Sequence, residues 1–81
     1  MARISGAQDE DGVLDRLGRH IRELRTGLHL SQEALADASG IDRSHMGKIE
    51  RGERNVTILN LARIAKALGC KVSDMIAGAA L

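Results

Sequence analysis

Arg43, Ser44, Lys48 and Arg51 bring two guanidiniums, an ammonium and a hydroxyl into one short stretch of the chain. An arginine fork matches the O6 and N7 acceptors of guanine, a lysine reaches the same edge as a point charge, and a serine hydroxyl suits a base or a phosphate. These groups can read a duplex together only if they project from one side of a rod that fits the groove. Treating 43–51 as a helix, at about 100° per residue, puts Met46 and Ile49 about 60° apart on an inward side. Ser44, Gly47, Lys48 and Arg51 then cluster on the opposite side, with Arg43 at its edge.

The preceding residues supply what would hold such a rod still. Ser31 is a favourable N-cap for a helix over 32–39, and Glu33 places negative charge near its positive end. Leu35, Ala36 and Ala38 give that helix a small apolar face. Gly40 can adopt the left-handed conformation that ends it, and Asp42 can cap the next helix at once. Two helices joined by so short a turn form a helix-turn-helix over 31–52, which presents its second helix to the major groove.

Composition narrows the alternatives. The chain has 81 residues, enough for one domain near the lower limit for folding without disulfides or metals. Its single cysteine, Cys70, cannot close an internal bridge, which favours a reducing compartment. No apolar run is long enough to span a bilayer and no secretory pattern opens the chain, so the expected location is the cytoplasm, in association with the nucleoid and not with a membrane. Net charge is +1, but Asp9, Glu10 and Asp11 against Arg3 leave the first twelve residues at −2 and the remainder at +3. That is a modest electrostatic footprint for nucleic acid, and two copies would strengthen it. Phe, Tyr and Trp are absent. Single strands are usually held by stacking bases on aromatic rings, so a duplex is the partner that remains.

Glycines at 27, 40, 52, 69 and 78 each follow an apolar-periodic stretch and read as helix ends. The resulting expectation is an all-α domain of five helices over 12–78, with a flexible tail at 1–11 and a short tail at 79–81. The first helix runs from about 12 to Thr26. The fourth starts after the N-cap Thr57, with Ile58, Leu61, Ala62, Ala65 and Leu68 inward, and Ser73 caps the fifth. Asp9–Asp11 can favourably charge the first turn of the first helix.

Four blocks carry a resemblance: Leu30-Ser31-Gln32-Glu33-Ala34-Leu35-Ala36, Gly40-Ile41, Ile49-Glu50-Arg51-Gly52 and Leu61-Ala62-Arg63-Ile64-Ala65-Lys66-Ala67-Leu68-Gly69. In this order and spacing the chain resembles the phage-repressor-like, XRE-type helix-turn-helix family from about Leu14 to Gly78. The resemblance implies that the third helix enters the major groove and that Arg43, Ser44, Gly47 and Lys48 face base edges. Gly47 departs from the expected residue type; it either permits close approach to DNA or is tolerated on the surface. His45, at the edge between core and groove, suits packing or a phosphate. Gln32 matches a position that clamps a phosphate, aided by free helix-end amides. Arg51, Arg54 and Asn55 follow as backbone contacts. Arg25 and Glu50 match an internal ion pair of the family.

Enzymatic readings find little support. His20, His29 and His45 share neither a face nor a metal-ligand spacing, Cys70 is distant from all three, and no phosphate-cradling glycine loop is present. No catalytic residue, metal or cofactor is expected. Instead the sequence points to a transcription regulator that binds a palindromic or near-palindromic operator as a homodimer, since one short helix reads too few base pairs. Leu59, Ile64, Met75, Ile76 and Leu81, apolar beyond what their helices need internally, are the expected interface. The chain leaves no length for a ligand-sensing domain, so control is expected through its own concentration. Small stand-alone members of the family include restriction–modification controllers, which the Arg54-Asn55-Val56-Thr57 loop somewhat resembles, and antitoxins. The alternative is therefore an antitoxin-type module that occludes a toxin, with DNA binding secondary. RNA polymerase would be a further partner of an activator.

Overall fold

The computed structural model describes residues 8–81, and the part of the predicted flexible tail that falls in 1–7 lies outside them. The described chain forms five helices: α1 (Val13–Gly27), α2 (Gln32–Ser39), α3 (Arg43–Glu50), α4 (Ile58–Leu68) and α5 (Val72–Gly78). Ile21, Leu35, Met46, Ile64 and Met75, one from each helix, are the largest fully buried side chains. A single aliphatic core thus requires every helix, and no aromatic ring is needed to fill an envelope of 33 × 25 × 19 Å.

Local signals set most helix ends. The Ser31 hydroxyl accepts from the Ala34 amide at 3.0 Å and the Thr57 hydroxyl from the Asn60 amide at 3.1 Å, each satisfying an orphan donor of a first turn. The start of α1 works differently. Gly12 stands at the N-cap and has no side chain, so the Asp9 carboxylate folds over the helix end and accepts from Val13 at 2.8 Å and Leu14 at 2.7 Å. Asp9, expected in the tail, is thus hydrogen-bonded to the start of α1.

Four further expectations need correction. In α4 the inward side consists of Leu61, Ile64, Ala65 and Leu68, whereas Ile58 is 71 % exposed and Ala62 lies on the surface. The buried stripe is rotated by about 50° from the predicted one, a shift that leaves the apolar count almost unchanged and so escapes periodicity. In α5 the N-cap is Lys71, so Ser73 sits inside the first turn and caps nothing. Ala79 is buried in the core instead of opening a C-terminal tail. In α2, likewise, Leu35 and Ala36 are buried but Ala38 is exposed.

Candidate nucleic-acid interface

The turn between α2 and α3 spans Gly40, Ile41 and Asp42. Gly40 has φ 69°, which a glycine adopts without steric cost. The chain then bends back so that the Ile41 amide donates to the Ala36 carbonyl at 3.0 Å while the Ile41 side chain enters the core. This is the helix-ending pattern in which the residue after the left-handed glycine closes a hydrophobic contact on the helix it has just left. Asp42 follows immediately, its carboxylate accepting from the His45 amide at 3.3 Å to start α3. The angle between α2 and α3 is therefore held by two caps and one buried isoleucine.

Within α3, Met46 and Ile49 are buried, Arg43 and Ser44 are exposed, and His45 and Lys48 are half-buried. Arg51 terminates the helix as its C-cap, with Arg54 and Asn55 exposed beyond it. The donors form an outer face opposite the core. Arg51 is engaged by the Glu53 carboxylate, and that hydrogen bond holds Glu53 below the ordinary carboxylate range. A phosphate arriving at Arg51 would replace this exposed partner with another anion.

Glu50, on the inner side of the same helix, is the anchor. Its carboxylate is 3 % exposed and receives Arg25 in a two-pronged contact, Nε to Oε2 at 2.8 Å and Nη2 to Oε1 at 3.0 Å. The remaining prong of Arg25 donates to the Leu30 carbonyl at 2.8 Å. Gln32 completes the cluster by donating its carboxamide N–H to Glu50 Oε1 at 3.2 Å. Four segments are thus tied at one buried carboxylate: α1, the loop before α2, the start of α2 and the end of α3. The family resemblance implied the Arg25–Glu50 pair but assigned Gln32 to a phosphate, and the contact of Gln32 with Glu50 exists only once the start of α2 has packed against the end of α3.

Gly47 is not an open position on the groove face. It is buried, covered by the side chains of Gln32 and Arg51, so it is not a glycine merely tolerated on an open surface. The expected self-association residues also divide. Leu59 is 58 % exposed, Leu81 is 40 % exposed and Ile76 is half-buried, but Ile64 and Met75 are fully enclosed within the protomer. Both are needed internally because the five helices are short and each must commit a large side chain to the core. The exposed Ile58, which the sequence had placed inward, stands beside Leu59 instead.

Among the described residues, no group of three or more His, Cys, Asp or Glu side chains could hold a metal ion. Burial, with Asp74 nearby, raises the Cys70 thiol above its ordinary range, the opposite of an activated nucleophile. No helix among these residues is long and apolar enough to cross a membrane.

Residues 21–75 match the model of the HTH_3 family, described as helix-turn-helix. The chain belongs to this family of DNA-binding transcription regulators. The regulator is 42 % identical over 64 residues to the control protein C.SmaI of Serratia marcescens, covering 79 % of this chain and 76 % of that one. Its fold matches the crystal structure of the restriction-modification controller protein C.AhdI from Aeromonas hydrophila with a TM-score of 0.75 and 47 % identity, over 76 % of this chain and 94 % of that one. It also matches SinR, a master regulator for biofilm formation solved in complex with DNA, with a TM-score of 0.69 and 27 % identity, over 73 % of this chain and 95 % of that one. Relatives of this kind favour a DNA-binding regulator over a toxin-neutralising module.

Proposed function

We propose that two copies of this chain bind a palindromic or near-palindromic operator and that the protein acts as an autoregulating restriction–modification controller. The observation that carries the reading is the outward face of α3, where Arg43, Ser44 and Lys48 stand opposite the buried Met46 and Ile49 on a helix anchored at Glu50. In each half-site α3 lies in the major groove with Arg43 forked onto a guanine, Lys48 on a neighbouring base, and Ser44 on a base or phosphate. Gln32, Arg51, Arg54, Asn55 and His45 contact the sugar-phosphate backbone and set the register without reading sequence. The second copy places its α3 about 34 Å away, on the next turn of the same groove. The controller role rests on the similarity to C.SmaI and C.AhdI.

Selection of bound duplexes from a random pool tests the site. The expected product is a two-fold-symmetric motif. Arg43→Ala relaxes it at one position per half-site, Lys48→Ala relaxes a neighbouring position, and Gln32→Ala weakens all sequences about equally. A protein that prefers no duplex over scrambled competitor, even at low salt, would overturn the reading. A methyltransferase or endonuclease gene beside this one supports the controller role, whereas a small toxin gene in that place argues for the antitoxin.

The apolar surface that would join the copies is Leu59 with Ile58, Ile76 and Leu81, now without Ile64 and Met75. Sedimentation should show a dimer at tens of micromolar, and Leu59→Glu should shift it to monomer with its helical content intact. A wild-type monomer at that concentration rules the interface out.

A further inference from the structure

Gly47 lies mid-way along α3 on the side that carries the polar residues, yet it is buried while Arg43, Ser44 and Arg51 around it are exposed. The cover is specific. A Cβ built at Gly47 would stand 3.2 Å from Gln32 Oε1, 3.7 Å from Gln32 Cδ and 3.1 Å from Arg51 Nη1. Two side chains, from the first residue of α2 and the C-cap of α3, therefore converge over a single Cα. Each is also held from elsewhere: Gln32 through its N–H on Glu50 at 3.2 Å, and Arg51 through Glu53. The Glu50 carboxylate can only accept, which fixes the carboxamide with its nitrogen toward Glu50 and its oxygen over Gly47. One N–H of Gln32 is left for a further acceptor.

Glycine is the poorest helix former after proline, and this one has an ordinary helical conformation that any residue could adopt. Its value must come from the space it leaves. We propose that Gly47 is a positioning residue: the missing side chain forms a seat in which the Gln32 carboxamide and the Arg51 guanidinium are held ready for the DNA backbone. The inference rests on the operator-binding reading above and deepens it. Because Gln32 is also tethered to the buried Arg25–Glu50 pair, the seat couples the start of α2 to the end of α3. A phosphate then meets two donors whose rotamers are already restricted, so little ordering remains to oppose binding.

A double-mutant cycle tests this, using the duplex recovered by selection with the wild-type protein. Gly47→Ala should leave the melting temperature unchanged or raised, because alanine favours the helix and the atoms it meets are the ends of flexible side chains. It should nonetheless weaken binding about tenfold, the effect of impairing a hydrogen bond to a charged group, and flatten the salt dependence. In a background carrying Gln32→Ala and Arg51→Ala, Gly47→Ala should have no further effect on affinity. An undiminished penalty in that background would mean that the added methyl meets DNA directly, and would overturn the seat while leaving operator binding intact. Unchanged affinity in the wild-type background would overturn it too, as would a clear drop in melting temperature, since the neighbours would then be rigid. A wild-type protein without preference for any duplex would remove the operator reading and the seat together.

Discussion

Glu50→Ala should lower the free energy of unfolding by about 3–5 kcal/mol, a large part of the ~5–15 kcal/mol typical of a folded domain. The size follows from burial. The Arg25 and Glu50 side chains are 11 % and 3 % exposed, so neither is screened as a surface pair would be. Removing Glu50 leaves the Arg25 guanidinium with the Leu30 carbonyl but without its carboxylate, in a position where water cannot readily replace it. It also frees Gln32, so operator affinity should fall along with stability. Urea unfolding of Glu50→Ala, Arg25→Ala and the charge-reversed pair Arg25→Glu/Glu50→Arg measures the coupling. The reversed pair should recover part of the loss, incompletely because the fork geometry and the Gln32 contact are not restored. Single-mutant losses of a few tenths of a kcal/mol would show that the pair does not support the fold.

Gly18→Ala should destabilise by about 2–3 kcal/mol even though alanine is the better helix former by about 1 kcal/mol. Gly18 lies where α1 crosses the end of α3, and a Cβ there would stand 2.6 Å from the Glu50 carbonyl oxygen, and closer still to that of Ile49. These are backbone atoms of a packed helix end. They can yield only if α1 and α3 move apart, which would also loosen Arg25 from Glu50. A valine at 18 should prevent folding at room temperature. Both Gly18 and Gly47 sit inside helices, yet the same substitution should destabilise at Gly18 and not at Gly47. At Gly18 the added methyl meets main chain, and at Gly47 it meets movable side-chain ends. A thermal melt of each variant decides the matter. A Gly18→Ala protein as stable as wild type would mean that the two helices are not in close contact.

The cap residues made much of this fold legible in advance. Ser31, Asp42 and Thr57 each satisfy an amide three residues ahead, and Gly40 and Gly69 take left-handed conformations at the ends of α2 and α4. Such signals act within one helical turn, so a linear reading contains all their parts. The outer face of α3 was legible for the same reason: Met46 and Ile49 alone define its inward direction. The start of α5 was not, because no side chain caps it and Ser73 offered a plausible cap in the wrong place.

The errors fall where several helices compete for one interior. Whether Ile58 or Ile64 turned inward depended on how α4 is rotated against its neighbours, and the core took Ile64. Met75 was claimed by the same interior and lost to any outside partner. The covering of Gly47 needed the start of α2 and the end of α3 to be brought together in space. On its own, the sequence determined the helices, their caps, the tight turn and the set of groups offered to a groove, because these depend on neighbours a few residues apart. Tertiary structure alone decided which apolar side chains remained outside and which donors were already held in place, because burial and hydrogen bonding between segments far apart in sequence exist only once the helices have packed.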